Sequence, residues 1–66
     1  MVNGEKIHQL MAEKGIQNKK MAEEVGISEA MMTYIIKGLR EPNVSTLVRI
    51  SLVLECTVDE LVRRAV

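Results

Sequence analysis

The chain has 66 residues, of which 47% are hydrophobic, and its nine basic and nine acidic side chains cancel to a net charge of zero. This length allows one small domain over residues 1–66, and the hydrophobic content excludes a disordered chain. The neutral charge gives no sign of a strongly basic nucleic-acid binder. No apolar run reaches the roughly 18 residues of a membrane span, residues 1–5 contain no signal-peptide core, and Cys56 is the lone cysteine. We therefore expect a soluble protein of the reducing cytoplasm.

Hydrophobic spacing predicts an all-α fold of five short helices, of which the first two precede Gly26. The first helix covers about Gly4–Lys14, because Gly15 follows as a stop signal. The second helix starts near Gln17 or Asn18 and ends at Gly26. Their inward sides consist of Ile7, Leu10 and Met11 in the first helix, and of Met21, Ala22 and Val25 in the second.

The last three helices are bounded by capping residues and glycine. Ser28 is the predicted N-cap of the third helix, which Gly38 terminates, and residues 39–43 form a loop. A fourth helix follows this loop. Thr57 caps a short fifth helix, and Glu60 three residues later completes a capping-box pattern. The apolar side of the third helix is Met32, Ile35 and Ile36, and that of the fourth is Leu47, Ile50 and Leu54.

The second and third helices are joined by a very short turn at residues 26–28. Such a turn with a glycine suits two helices that cross at a steep angle, as in a helix-turn-helix unit. Ala22 supplies a small side chain at the crossing, and Gly26 tolerates the positive φ that the turn requires. The predicted apolar contacts between the two helices are Met21, Val25, Ile27, Met32 and Ile35.

A longer pattern keeps the same register through most of the chain. Its positions are Ala22, Val25, Gly26, Ile27, Ser28, Met32, Ile35, Gly38, Arg40 and Pro42, followed by Thr46, Leu47, Arg49, Ile50, Asp59, Glu60 and Leu61. This pattern is similar to that of the Cro and lambda-repressor-like family of helix-turn-helix regulators. The resemblance implies a lambda-repressor-like domain that binds specific double-stranded DNA as a small transcriptional regulator, most simply a repressor.

The resemblance also implies how such a domain meets DNA, with the third helix in the major groove and the second helix across the phosphates. On a helical wheel, the residues that face away from Met32 and Ile35 are candidates for contact with base edges. Basic and polar residues beside them are candidates for phosphate contact. The base-edge candidates are Glu29, Ala30, Thr33 and Tyr34, with Ser28 at the helix start; the phosphate candidates are Asn18, Lys19, Lys20, Lys37 and Arg40.

Other interpretations of these residues remain open at this point. Lys19 and Lys20 stand four residues before Glu23 and Glu24, so they also suit ion pairs on the surface of a helix. Glu29 also suits the first turn of a helix, where the helix dipole favours an acid. A competing hypothesis is a protein-interaction module, or an antitoxin-like protein with a protein partner, that uses an apolar surface of Met31, Tyr34, Val48 and Leu52.

An enzyme is not expected, because one histidine and one cysteine provide no catalytic triad or metal-ligand cluster. The sequence accordingly predicts no cofactor and no metal.

Homodimerisation is expected, since a single domain makes few DNA contacts and a two-fold axis doubles them on a pseudo-palindromic operator. Val44, Val48 and Leu52 form a second apolar stripe on the fourth helix, and Val62 and Val66 continue the spacing on the fifth; the predicted dimer residues are Val48, Leu52, Val62 and Val66.

The chain departs from the family pattern at three places. Most relatives open the second helix with Thr or Ser before Gln, whereas Gln17 and Asn18 stand here, which favours Asn18 as the cap. Glu55 occupies a position where Gly or Asn usually closes the fourth helix, so a different turn is expected. Where many relatives pair a partly buried arginine with a glutamate, this chain has Met11 and Ile36, and we expect these two side chains to be buried in contact.

Overall fold

The computed structural model describes residues 1–63, which fold into four α-helices and one 3₁₀ helix. The α-helices are α1 (Gly4–Lys14), α2 (Asn18–Val25), α3 (Glu29–Ile36) and α4 (Val44–Leu54), and the 3₁₀ helix covers Val58–Leu61. α2 packs against α3 and α4, and α1 contacts α3, α4 and the 3₁₀ helix. The predicted all-α fold is confirmed. None of the described helices has the length and apolarity to cross a membrane.

Three of the four α-helices begin with a side-chain cap. The side-chain oxygens of Asn3, Ser28 and Asn43 accept hydrogen bonds from backbone amides of the first turns of α1, α3 and α4 at 3.1, 3.0 and 2.8 Å. The N-cap of α2 is Gln17, whose side chain makes no capping hydrogen bond. The expectation that Asn18 caps α2 is therefore wrong. Gln17 has an extended backbone and occupies the N-cap position, and Asn18 is the first residue of the helix.

The predicted fifth helix is a single 3₁₀ turn. Its capping box is confirmed, because Thr57 Oγ1 accepts from the amide of Glu60 at 3.2 Å while a Glu60 carboxylate oxygen accepts from the amide of Thr57 at 2.8 Å. The sequence predicts that Val62 continues this helix, and that prediction is wrong. Val62 adopts an extended backbone with φ −107° and ψ 130°. Residues 1–63 therefore contain four α-helices and not five.

Val62 leaves the helix because it pairs with the other end of the chain. It forms an isolated antiparallel bridge with Val2. The neighbouring hydrogen bonds, from Asn3 N to Leu61 O and from Arg63 N to Met1 O, are both 2.7 Å long. These backbone bonds stabilise the extended conformation of β-branched Val62 over another helical turn. Val66, the other dimer residue predicted at this end, lies outside the described residues.

The core consists of aliphatic and methionine side chains without an aromatic ring. The inward stripes predicted for the helices are buried, apart from Leu10, Leu47 and Ile36, which are partly buried against the core. Each fully buried side chain of this size contributes about 1.5–3 kcal/mol through removal of apolar surface from water. The largest fully buried side chains are Ile7, Met21, Val25, Met32, Ile35, Ile50, Leu54 and Leu61.

Gly4 marks the closest approach between two helices. A Cβ atom at this position would lie 2.8 Å from the carbonyl oxygen of Ile35 and closer still to the carbonyl group of Ile36. The first turn of α1 therefore rests directly on the backbone at the end of α3. Only glycine fits there, a packing requirement that hydrophobic spacing does not reveal.

Glu55 closes α4 in the left-handed conformation, with φ 55° and ψ 44°. The expectation of a different turn at this position is wrong, because the backbone keeps the geometry that usually favours glycine. The carboxylate of Glu55 lies 3.2 Å from Lys14 Nζ at the end of α1. This ion pair is exposed and contributes little, so it does not explain the backbone geometry.

Met11 and Ile36 lie on facing sides of α1 and α3. Met11 is buried as predicted, whereas Ile36 is only partly buried against the core. The difference follows from position, because Ile36 is the last residue of α3 and lines an open groove between the two helices. Met11 lines the same groove.

Candidate nucleic-acid interface

The turn between α2 and α3 is built around Gly26, whose φ is 83°. The amides of Gly26 and Ile27 both donate to the carbonyl oxygen of Ala22, at 2.8 and 3.0 Å. Arg49 of α4 donates from Nη1 to the carbonyl oxygen of Val25 at 3.4 Å. These bonds satisfy two of the last four carbonyls of α2. The short turn that follows leads directly into α3, as predicted for a helix-turn-helix unit.

α3 buries one side and presents the other to solvent. Met32 and Ile35 are fully buried, as predicted. The side facing away from them carries Glu29, Ala30 and Lys37, all exposed, and Tyr34, whose side chain is 43% exposed. Ser28 is exposed but its hydroxyl is engaged as the N-cap. The structure therefore brings the predicted base-edge residues to one solvent-facing side, with one exception.

The exception is Thr33, which is half-buried and bonded to α2. Asn18 Nδ2 donates to Thr33 Oγ1 at 3.1 Å and to the carbonyl oxygen of Glu29 at 3.2 Å. Asn18 therefore links the first turn of α2 to the first turns of α3. The Oδ1 atom of Asn18 is buried and has no hydrogen-bond partner among the described residues.

The cations predicted to meet phosphate are exposed around the outer side of α3. Lys20 Nζ lies 3.2 Å from Glu24 Oε1, so one of the two predicted ion pairs on α2 forms. Lys19, Lys37 and Arg40 have no ion pair within residues 1–63. The first turn of α2 also lacks a side-chain cap, so its backbone amides remain donors at the positive end of the helix dipole.

A second exposed surface is apolar and lies on α4. Val44 and Leu52 are 79% and 71% exposed, and Val48 lies between them on the same side of the helix. Leu39, in the loop after α3, is 67% exposed. Such large apolar side chains seldom cluster on the surface of a monomeric protein. We call Val44, Val48 and Leu52 the α4 stripe.

Sequence reasoning overlooked two residues that shape the interface. Arg49 donates a hydrogen bond to the last carbonyl of α2. The sequence places Arg49 in the family pattern but predicts no contact for it. Glu41 accepts hydrogen bonds from Val2 N at 2.9 and 3.2 Å and thereby ties the loop after Arg40 to the chain start. Both contacts join residues more than twenty positions apart, and short-range periodicity carries no signal of such pairs.

The described residues contain no group of three or more His, Cys, Asp or Glu side chains arranged to hold a metal ion. Burial raises the pKa of the Cys56 thiol above its ordinary value, with a further contribution from the nearby charge of Glu60. A thiol with a raised pKa is a weaker nucleophile at neutral pH. Burial therefore lowers the reactivity of the Cys56 thiol at neutral pH.

Comparison with protein families matches residues 6–65 to the Cro/C1-type HTH DNA-binding domain. Comparison with curated protein sequences gives no match. The match to the family model covers almost the whole chain, including every residue of α2, the turn and α3.

Several solved structures share this fold. The N-terminal DNA-binding domain of SinR from Bacillus subtilis is 29% identical, with a TM-score of 0.84 over 92% of this chain and 90% of that one. The restriction-modification controller protein C.AhdI from Aeromonas hydrophila is 19% identical, with a TM-score of 0.83 over 89% of each chain. In a complex of the SinR and SinI proteins, the matching chain is 30% identical with a TM-score of 0.79, and the match covers 88% of this chain and 56% of that one.

Proposed function

Because this chain belongs to the Cro/C1-type helix-turn-helix DNA-binding domain family, we propose that it is a transcriptional repressor that recognises a specific duplex sequence. The observation that carries the proposal is the outer side of α3, which is exposed and flanked by Lys19, Lys37 and Arg40 without ion-pair partners within residues 1–63. A helix of this size fits the major groove, and the flanking cations then face phosphates.

In this docking, the first two turns of α3 read the base edges. The carboxylate of Glu29 accepts from the N4 amino group of a cytosine, and the methyl group of Ala30 contacts a thymine methyl. Tyr34 lies one turn further along and adds a stacking or hydroxyl contact. Ser28 and Thr33 lie beside them, with their hydroxyls shared between α3 and the DNA.

Binding strength comes from the phosphates. Lys19 and Lys20 approach one strand from α2, and Lys37 and Arg40 approach from the end of α3 and the loop. Asn18 acts mainly by holding α3, since its amide nitrogen already donates to two acceptors. Four cationic contacts give a salt dependence of about −0.9 per neutralised phosphate, or roughly −3 to −4 per subunit.

Selection from randomised duplex DNA tests the proposal and yields the site. Lys19→Ala with Lys20→Ala should weaken binding to every duplex alike and flatten the salt dependence by about one unit for each lost contact. The matched control is Lys6→Ala with Lys14→Ala, which removes the same charge from α1. Equal losses in the two variants would show that only net charge matters, and failure to enrich any sequence would overturn sequence-specific recognition.

We further propose that two copies bind together through the α4 stripe. A two-fold axis there places the two copies of α3 about 34 Å apart, one turn of B-DNA, on a pseudo-palindromic operator. Val44 and Leu52, which are 79% and 71% exposed in the single chain, would form the apolar part of such an interface.

The same stripe supports the second candidate function, a protein-interaction module. The solved complex of SinR with SinI contains a chain of similar fold, so a protein partner on this chain is the natural alternative occupant. On this alternative, Met31 and Tyr34 join the α4 stripe as the binding surface. A protein that enriches no duplex sequence while Leu52→Glu abolishes its capture of a partner would support the alternative.

A further inference from the structure

The loop between α3 and α4 carries Arg40, which is exposed and has no ion pair within residues 1–63. On the α3 side, the backbone amides of Leu39 and Arg40 share one acceptor, the carbonyl oxygen of Tyr34, at 2.8 and 3.3 Å. The bond from Arg40 is the longer of the two and exceeds the usual length of such a hydrogen bond. α3 alone therefore holds the backbone of Arg40 only weakly.

Glu41 gives this loop a second attachment. Its two carboxylate oxygens accept from the backbone amide of Val2, at 2.9 and 3.2 Å. Hydrogen bonds to an ionised carboxylate are about twice as strong as those between neutral groups. The ammonium group of Met1 lies 3.8 Å from the same carboxylate, but this pair is exposed and contributes little. The attachment therefore consists mainly of the bonds to the Val2 amide.

Val2 is a firm point of attachment, because it is itself fixed in the fold. It is 6% exposed and belongs to the hydrophobic core. Its backbone forms the bridge with Val62, and the two hydrogen bonds that flank the bridge are both 2.7 Å long. Glu41 therefore joins the loop that carries Arg40 to the packed core of the molecule.

The charge of Glu41 acts against DNA binding. In the proposed docking, this acid lies beside the phosphate that Arg40 meets, and two negative charges repel each other. Removal of the charge alone should therefore strengthen binding, most clearly at low salt. A substitution at Glu41 that weakens binding has to act in another way, through the position of the neighbouring arginine. The sign of the effect separates the two influences.

We propose that Glu41 is a positioning residue for DNA binding: its hydrogen bonds to the Val2 amide hold the loop so that the guanidinium of Arg40 meets a phosphate. The inference rests on the proposed function, because Arg40 is a phosphate contact only in that docking. Glu41 itself does not touch DNA. It limits the conformational freedom that the loop would otherwise lose on binding, which is how preorganisation raises affinity.

Two substitutions that remove the same charge test the proposal on the selected duplex. Glu41→Gln keeps an oxygen that can accept from the Val2 amide, whereas Glu41→Ala has none. Glu41→Ala should bind about fivefold to tenfold more weakly than Glu41→Gln in about 0.1 M salt, with a salt dependence flatter by about 0.9, the value for one phosphate. Equal affinities and equal salt dependences of the two variants would overturn the proposal.

A change at Arg40 distinguishes positioning from a general loss of stability. In an Arg40→Gln background there is no guanidinium left to position, so Glu41→Ala and Glu41→Gln should bind the duplex equally. A double-mutant cycle measures this coupling. If the difference between the two Glu41 variants persists without Arg40, then Glu41 affects binding through the rest of the fold, and the positioning role is wrong.

Solvent exchange of backbone amides, followed by NMR without DNA, tests the attachment itself. The amides of Leu39 and Arg40 should exchange about fivefold faster in Glu41→Ala than in Glu41→Gln, the factor for one hydrogen bond. Amides inside α2 should exchange alike in both, which shows that the fold is retained. Equal exchange at Leu39 and Arg40 would overturn the proposal. A parent protein that enriches no duplex would contradict the proposed function, whereas the exchange rates would still show whether Glu41 holds the loop.

Discussion

Glu55 carries a side chain in a backbone conformation that L residues disfavour by about 1–2 kcal/mol. Within residues 1–63, Glu55 is the only non-glycine residue with a positive φ. Its contact with Lys14 is 3.2 Å long but exposed, and pairs of that kind contribute little to folding. The strain of this residue is therefore not balanced by its side chain, and the position invites a stabilising substitution.

Glu55→Gly should raise the free energy of unfolding by about 0.5–1 kcal/mol, because glycine relieves the left-handed strain but makes the unfolded chain more flexible. Urea denaturation measures the change. Lys14→Gln, which removes only the ion pair, is the control and should change stability by less than about 0.5 kcal/mol. A less stable Glu55→Gly protein would show that the side chain of Glu55 contributes more to stability than the left-handed backbone strain takes away.

Gly4→Ala should destabilise the fold by about 1–3 kcal/mol, the effect of overpacking, because the added methyl group overlaps the last carbonyls of α3. In an ordinary helix the same substitution is stabilising by about 1 kcal/mol, so the sign of the effect is the test. Thermal unfolding followed by circular dichroism measures it. Glu5→Ala, at the exposed neighbouring position, should change stability by less than about 0.5 kcal/mol.

At the scale of the element, the capping box of the 3₁₀ helix links stability to pH. Hydrogen bonds from the backbone amide of Thr57, and then from its hydroxyl, hold the pKa of Glu60 below its ordinary value near 4.5. A carboxyl group with a lower pKa in the folded state stabilises the fold while it is ionised. Its contribution is complete above about pH 5 and disappears as the pH falls below 4.5 through the lowered pKa.

Glu60→Gln should therefore lower stability at pH 7, and the difference between the two proteins should shrink as the pH falls below 4.5. The glutamine keeps the shape of the side chain, so the comparison isolates the charge. Urea denaturation of both proteins at pH 7 and below pH 4.5 gives the difference between them, which removes the contribution of the other carboxyl groups. A difference that stays constant with pH would show that the Thr57–Glu60 contact does not require ionised Glu60.

The elements that the sequence predicts well are those defined by local signals. α1 and the ends of α2 and α3 follow from glycine stops and the serine cap. The fifth helix could not be predicted correctly, because the backbone of Val62 is determined by Val2, sixty positions away. The close packing at Gly4 could not be predicted for the same reason, because Gly4 contacts the distant end of α3. In the candidate site, exposure on α3 follows from periodicity, whereas the hydrogen bonds of Asn18 depend on the angle between two helices.

At the scale of the whole molecule, the α4 stripe predicts self-association. Leu52→Glu should give monomers with sharply weaker operator binding, because a charge buried in an apolar interface loses its hydration. Analytical ultracentrifugation and duplex titration measure the two effects. Gln9→Glu, which adds the same charge at an exposed position of α1, should leave association unchanged. A parent protein that stays monomeric on its selected duplex would contradict the dimer.

The position of Tyr34 also determines how this protein can be observed. It is the one aromatic side chain of the chain, and it lies on the outer side of α3, 43% exposed, and not in the core. Tyrosine emission and near-ultraviolet dichroism therefore report on the surroundings of α3 and not on the core, and the helical backbone signal is the more direct measure of unfolding. Conversely, any molecule that covers α3 alters the surroundings of this single chromophore. The unlabelled protein thus carries an optical reporter of its own binding surface, free of background from the interior.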